Sequence, residues 1–407
     1  MLIFGLTKRL PTGGSCISNA LRTGQLDMFS SAFNADPELH VILGPPSTGK
    51  TALIREVVMN KGNFKPLFLD CRSGQFDSSK NLYNSISMQF KPFFKERKEL
   101  LKKILPETDL KAKFPYFFEL NFKLFDKKEK EITSSSVSEL LIEIARALPK
   151  WNIWRGDYAP PPILIVDEAN LLSQLGDSSK KGAVLLKSFL NWLVMNTKQE
   201  NRFHAVLTFS DSFFLNWIIN LLHVPHATPY VVGDLTKEEA EEYFEKHVLP
   251  QYKCKELEGK FDRVCRITGT RMLIIDRYVN EYKILGEKLT DRRFSVSRLE
   301  YNKLFSGLVP FRYPDKTRDP LWNQNELIKV MKAVVDAENR GFVLEADLEK
   351  KISHEKIHSL VDYNLLHCRP TNNFAFDIID PPDKVMLTAM NKPSLRAMEH
   401  LLNDLGQ

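Results

Sequence analysis

Apolar residues recur along this chain in two rhythms. Short uninterrupted runs at 40–43, 66–71, 163–166, 203–208 and 229–232 have the length of strands, and each leads into a helical pattern or a loop that ends in one. Strand and helix therefore alternate, which predicts a mostly parallel five-stranded sheet with helices on both faces. After Gly233, Thr236-Lys237-Glu238-Glu239 has the form of a capping box: the Thr236 hydroxyl can accept from the Glu239 N–H while Glu239 reaches back. A run of helices is predicted from there. The stretch 310–320, rich in Pro, Arg and Asp, reads as a connection to a separate module. Beyond Trp322, helices are predicted at 325–338, 345–352 and 355–363, with Ser353 as a cap. Two short strands at 365–369 and 374–379 follow, joined by Pro370-Thr371-Asn372-Asn373, which is the order of a winged helix. No internal repeat interrupts this layout.

With 407 residues, 43% of them hydrophobic and 27% charged, the chain has ordinary globular composition and room for two or three domains. Its five cysteines, Cys16, Cys71, Cys254, Cys265 and Cys368, are scattered and never spaced Cys-x-x-Cys. Neither a disulfide framework nor a zinc site is suggested, and a reducing, intracellular compartment is expected, most simply the cytoplasm. The most apolar region, 205–222, contains Asp211 and Asn216, so no membrane span is expected. Residues 1–26 carry no acid but include Lys8, Arg9 and Arg22, a pattern shared by mitochondrial presequences and by ordinary unstructured termini. The net charge of +6 changes the picture mainly by its location: residues 91–130 hold 12 basic and 7 acidic side chains, nearly all of the surplus.

The strongest chemical pattern is Gly44-Pro45-Pro46-Ser47-Thr48-Gly49-Lys50-Thr51, which fits G-x-x-x-x-G-K-[ST] directly between a predicted strand and a helix predicted at 52–59. Gly44 and Gly49 let the backbone curl around phosphate oxygens so that successive N–H groups point at them, and the helix dipole adds positive potential. Lys50 supplies a point charge for the β- and γ-phosphates, and the Thr51 hydroxyl is an expected Mg²⁺ ligand.

Ile163-Leu164-Ile165-Val166-Asp167-Glu168 is its natural partner: four apolar residues suit a strand buried on both faces, with two carboxylates at its C-terminal end, where α/β sheets bind ligands. Asp167 is expected to hold Mg²⁺ and Glu168 to polarise the attacking water. No Asn-Lys-x-Asp guanine reader is found, since Asn391-Lys392-Pro393-Ser394 lacks the Asp, so the expected nucleotide is ATP.

In these motifs the chain resembles AAA+-like P-loop ATPases, and within them the archaeal-type ATPases related to STAND signalling proteins and replication initiators, over about residues 20–390. The resemblance implies a polar sensor at the end of the strand 203–208, where Thr208 or Ser210 would contact the γ-phosphate or the water. It implies that 232–240 opens a helical lid, and that Ile267-Thr268-Gly269-Thr270-Arg271 forms a sensor 2 turn from which Arg271 reaches the nucleotide. Gly269-Thr270-Arg271-Met272 stands where many STAND relatives have Gly-Gly-x-Pro, nearer the replication-initiator form. Arg202 is a candidate arginine finger or a solvated loop residue.

The resulting expectation is an α/β P-loop NTPase with an N-terminal arm (1–24), an ATPase core (25–233), a helical lid (234–309) and a winged helix (322–407). It would act as a nucleotide-controlled switch with a protein partner. A DNA-acting loader or motor is the alternative, because the basic segment 91–130 also holds Phe93, Phe94, Phe114, Tyr116, Phe117, Phe118, Phe122 and Phe125. These rings would either face a partner or pack inward from an amphipathic helical hairpin. From 343 to 380 there are 4 basic and 7 acidic residues, which favours protein contact over DNA at the winged helix.

Overall fold

The computed structural model describes residues 22–73, 76–128, 132–154, 159–210, 217–218, 220, 227–309, 319–369, 376–378 and 380–407. Most of the expected N-terminal arm, most of the 310–320 connection and the Pro370–Asn373 turn lie outside them. By its internal contacts the chain divides into two units, one made of Gly24–Leu43 and Gly49–Tyr230, the other of the chain up to Thr23, Gly44–Thr48 and Val231–Gln407.

The first unit carries the sheet. Its strands are β1 (Leu39–Leu43), β2 (Lys65–Asp70), β3 (Pro162–Asp167), β4 (His204–Phe209) and β5 (Ala227–Val231), in spatial order β2-β3-β4-β1-β5. The pairs β2/β3, β3/β4 and β1/β4 are parallel. All five runs seen in the sequence are strands, shifted by one or two residues at their ends. β1, β3 and β4 are buried along their whole length, which is why their sequences lack the polar alternation of a half-exposed strand. Because β4 lies between β1 and β3, the three C-terminal ends stand side by side.

At the other end of these strands two histidines are buried together. His40 Nε2 and His204 Nδ1 are 3.0 Å apart, the Glu38 N–H donates to the same His204 nitrogen, and Phe33, Trp151 and Tyr230 surround the rings. Burial, together with the neighbouring ring, pushes the His40 pKa well below its ordinary 6.5.

Helix α1 (Thr23–Asn34) precedes β1, and α2 (Lys50–Glu56) follows the glycine-rich loop, continuing as a π turn over Val57–Lys61. The basic, aromatic segment 91–130 starts in helix α3 (Ser79–Ile104), capped by the Ser78 hydroxyl on the Asn81 N–H, and continues through the short helices Glu107–Lys113 and Pro115–Glu119. Phe93, Phe94, Phe114, Phe117 and Phe125 are buried. The Lys98 ammonium lies 4.7 Å from the Phe122 ring and donates to the Phe118 carbonyl, while Tyr116 is exposed beneath Arg146. Five of the eight rings thus pack inward while lysines lie over rings or in solvent, so of the two readings the amphipathic one better describes this segment.

In the second unit the capping box opens α4 (Lys237–Tyr243), with both reciprocal bonds formed. Helices α5 (Phe261–Thr268) and α6 (Met272–Leu285) share an apolar cluster around Phe244, Phe261, Ile275 and Tyr278. After α7 (Ser295–Gly307) comes a C-terminal module of α8 (Gln324–Asp336), β6 (Val343–Leu344), α9 (Glu345–Glu349), α10 (His354–Asp362), β7 (His367–Arg369) and β8 (Met386–Thr388). Its sheet is antiparallel in the order β6-β8-β7, with Cys368 opposite Leu387. Among the described residues the strand that pairs with β7 is β8, where the sequence predicts 374–379. Residues 374, 375 and 379 lie outside the described set, and Phe376–Ile378 are not strand; the Asp377 carboxylate is tied to Arg369 and to the Asp234 N–H. A last helix, α11 (Lys392–Asp404), capped by Asn391, packs on α7 and α8 and was not foreseen. Among the described residues no helix is long and apolar enough to cross a membrane.

Candidate active site

At the C-terminal end of the sheet, three side chains converge on Asp167, which is 1% exposed. The Thr51 hydroxyl donates to its Oδ1 at 2.7 Å, and the Thr208 hydroxyl donates to the same oxygen. The Arg72 guanidinium donates to Oδ2 at 2.8 Å and chelates both oxygens of Asp70, which faces Asp167 across the β2/β3 register. The hydrogen bonds from Arg72 hold the Asp70 carboxyl below its ordinary range and keep the guanidinium charged.

Lys50 begins α2 and is buried; its Nζ donates to the Ser210 hydroxyl at 3.1 Å. Ser210 in turn donates to Glu168 Oε1 at 3.4 Å, a long bond. Glu168 holds a left-handed backbone (φ 53°, ψ 47°), which costs an L-residue with a side chain about 1–2 kcal/mol and turns the chain sharply after β3. Strain of this kind persists where the surroundings over-determine it, and such positions cluster at active sites. The structure thus brings Lys50, Thr51, Asp167, Glu168, Thr208 and Ser210 together in one unit.

Gly44–Thr48 belongs to the other unit and is shaped by it. A Cβ at Gly44 would lie 2.1 Å from the Val232 carbonyl oxygen, so no other residue fits there. The Thr48 hydroxyl closes the turn on the Pro45 carbonyl at 3.0 Å, and Ser47 takes a left-handed backbone with φ 65°. Two buried arginines hold the loop carbonyls. Arg22 donates to Thr48 O and Gly233 O, and Arg271 donates to Pro46 O at 3.1 Å. Arg271 also forms an ion pair with Asp234 at 2.7 Å and donates to the Met390 carbonyl at 2.9 Å, so it is not a solvated helix start. Asp234 is tied through its N–H to Asp377, whose partner is Arg369. Burial alone would raise the Asp377 carboxyl, but the Arg369 charge and hydrogen bonds bring it below 3.8. Pro45, Asp234 and Arg271 line a cleft of about 1000 Å³ whose other walls include Glu338, Arg369 and Lys392.

The profile of a family described as an ATPase domain predominantly from Archaea matches residues 27–273, which is more than half of the chain. The chain belongs to that family. Among curated proteins, this archaeal-type ATPase is 22% identical over 276 residues to an uncharacterized ATP-binding protein of Methanocaldococcus jannaschii, covering 66% of the chain and 72% of the relative. A second such protein of the same organism is 25% identical over 230 residues, and there the match spans 58% of the relative, short of two thirds of its length. The fold is that of the Walker-type ATPase of Pyrococcus abyssi, at TM-score 0.57 and 13% identity, with 93% of this chain and 95% of that one superposed. The ORC2 protein of Aeropyrum pernix superposes at TM-score 0.43 and 10% identity over 95% of each chain. ATP binding thus follows from the family.

Two parts of this ATPase's site were not foreseen. Arg72 and Asp70 escape motif reading, although Asp70-Cys71-Arg72 ends an apolar strand at the ligand-binding edge of the sheet, which is a usable signal. Arg22 sits in a segment whose sequence suggested only a presequence or an ordinary terminus. Arg202, weighed as an arginine finger, precedes β4 at the opposite end from Thr208 and is held by the Leu148 carbonyl and Glu200.

Proposed function

We propose that this chain hydrolyses Mg²⁺-ATP and uses the nucleotide state to switch the helices after Gly233, as AAA+ and STAND-type ATPases do. The observation that carries the reading is the convergence of Thr51, Thr208 and Arg72 on the buried Asp167 carboxylate. Hydroxyl and carboxylate oxygens form a hard donor set that suits Mg²⁺ and suits zinc-like ions poorly, so Thr51 and Asp167 would hold the metal. Bound there, Mg²⁺ would neutralise charge on the β- and γ-phosphates.

The chain's own groups supply the rest. Gly44, Pro45, Pro46, Ser47, Thr48 and Gly49 wrap the phosphates with backbone N–H groups, and Lys50 leaves Ser210 for the phosphate oxygens. Ser210, so released, and Thr208 orient the water, and Glu168 takes its proton. Arg271 reports the nucleotide state: when it turns from Asp234 toward phosphate, it lets go of the Pro46 and Met390 carbonyls and frees the C-terminal module, read here as a winged helix. Burial of Phe93, Phe94, Phe114, Phe117 and Phe125 takes most of the rings in 91–130 away from the stacking role that a DNA-acting motor would need, which favours a protein partner over DNA. ATP turnover by the full chain at two protein concentrations, with and without duplex DNA at low salt, tests the proposal. Turnover independent of DNA supports it; turnover only with DNA, lost as salt rises, would replace it with the loader.

A further inference from the structure

Among the described residues, one group of His, Cys, Asp and Glu side chains brings three ligand atoms within 4.8 Å of one another: Glu345, His354 and His358. We propose that these three, with Glu349, bind one divalent first-row transition ion of the zinc class. They share no residue with the nucleotide site.

The helices dictate the cluster. His354 and His358 are spaced i,i+4 on α10, so both imidazoles rise from one face, and their ring centroids are 3.9 Å apart. Glu345 and Glu349 are spaced i,i+4 on α9 and face them in the same way. Glu345 Oε1 lies 3.1 Å from His358 Nε2 and 4.0 Å from His354 Nδ1, and Glu349 Oε1 lies 2.6 Å from His354 Nδ1. One carboxylate and two imidazole nitrogens thus lie within 4.8 Å of one another, with Glu349 against His354 at their edge, and imidazole with carboxylate is the donor set that zinc-class ions take at about 2.0–2.2 Å.

Charge favours the cation as well. With neutral imidazoles the four side chains carry two negative charges, and the nearby lysines are engaged elsewhere: Lys350 with Asp347 at 2.8 Å, and Lys356 with Glu326 at 2.6 Å. His354 is half exposed, so an ion can enter from solvent and a small rotation of that ring closes the triangle. Binding displaces the proton between Glu349 and His354 and joins α9 to α10 through the metal. The helix that a DNA-reading winged helix would insert is then pinned by its polar face.

The test is titration of chelator-stripped full-length protein with Zn²⁺ in excess Mg²⁺ and ATP, which keep the Asp167 site occupied. One Zn²⁺ per chain and a raised melting midpoint are expected. Glu345→Gln should weaken binding about 10- to 100-fold, and the double variant His354→Gln/His358→Gln by more than that. In the metal-free state the double variant should melt with the wild type, since His354 is exposed and His358 a third exposed. Co²⁺ should give the visible absorption of a low-symmetry nitrogen and oxygen site in the wild type alone. Equal Zn²⁺ uptake by the wild type and the double variant would overturn the assignment, as would the absence of saturable uptake.

Discussion

The Arg72 guanidinium bridges Asp70 and Asp167, 2.8 Å from a carboxylate oxygen of each. Without it, two carboxylates at neighbouring strand ends would face each other across the β2/β3 register. Arg72→Ala is expected to cost about 1 kcal/mol of stability, a small figure because Arg72 is half exposed and water screens the pair. The effect on turnover should be larger, about tenfold, because Asp167 loses the donor that fixes Oδ2. Thermal melting and steady-state phosphate release check the two parts separately.

Lys50 is the only side-chain cation of the glycine-rich loop. Lys50→Ala should therefore abolish measurable ATP binding in calorimetry while leaving the melting midpoint of the nucleotide-free protein nearly unchanged. Unaltered affinity would remove the loop from the account.

His40 is neutral in the folded protein because burial holds its pKa well below 6.5, whereas the unfolded chain takes up a proton there. Stability should be fully present above pH 6.5 and fall as the pH drops below it, down to the folded pKa. The slope from this one group is at most about 1.4 kcal/mol per pH unit. Denaturant melts at pH 7.5 and 5.5 check this, and the difference between the two should shrink in His40→Gln.

The Arg369–Asp377 pair is buried on both sides and reaches Asp234, the partner of Arg271. Asp377→Ala leaves a buried guanidinium uncompensated and should destabilise the protein by about 3–5 kcal/mol. The double variant Arg369→Leu/Asp377→Leu should cost much less. It should still change ATP affinity, because Asp234 loses the acceptor for its N–H, and equilibrium binding of a fluorescent ATP analogue measures that change.

The core of the site was legible because its chemistry is local. Gly44–Thr51 and Asp167–Glu168 are contiguous runs whose spacing alone specifies a phosphate cradle and paired carboxylates at a strand end. Thr208 and Ser210 came from the family resemblance, and the register of β3 with β4 explains why they reach Asp167 and Glu168. Arg72 was missed because its partner is 95 residues away and no local pattern announces the pairing. The strand at Met386–Thr388 was missed because two apolar residues and a threonine carry no period, while Pro370-Thr371-Asn372-Asn373 has the composition of a turn. Asp377 is held by a buried ion pair with Arg369, an interaction the sequence does not display.

The central claim is that Glu168, held in a strained backbone after Asp167, is the base for ATP hydrolysis. Phosphate release by the full-length chain with Mg²⁺-ATP, wild type against Glu168→Gln, tests it most directly. Turnover in the wild type, and a fall of about 10² or more in a variant that still binds Mg²⁺-ATP, is the predicted result. Equal phosphate release by the two proteins would contradict it, as would a wild type that binds ATP and never releases phosphate.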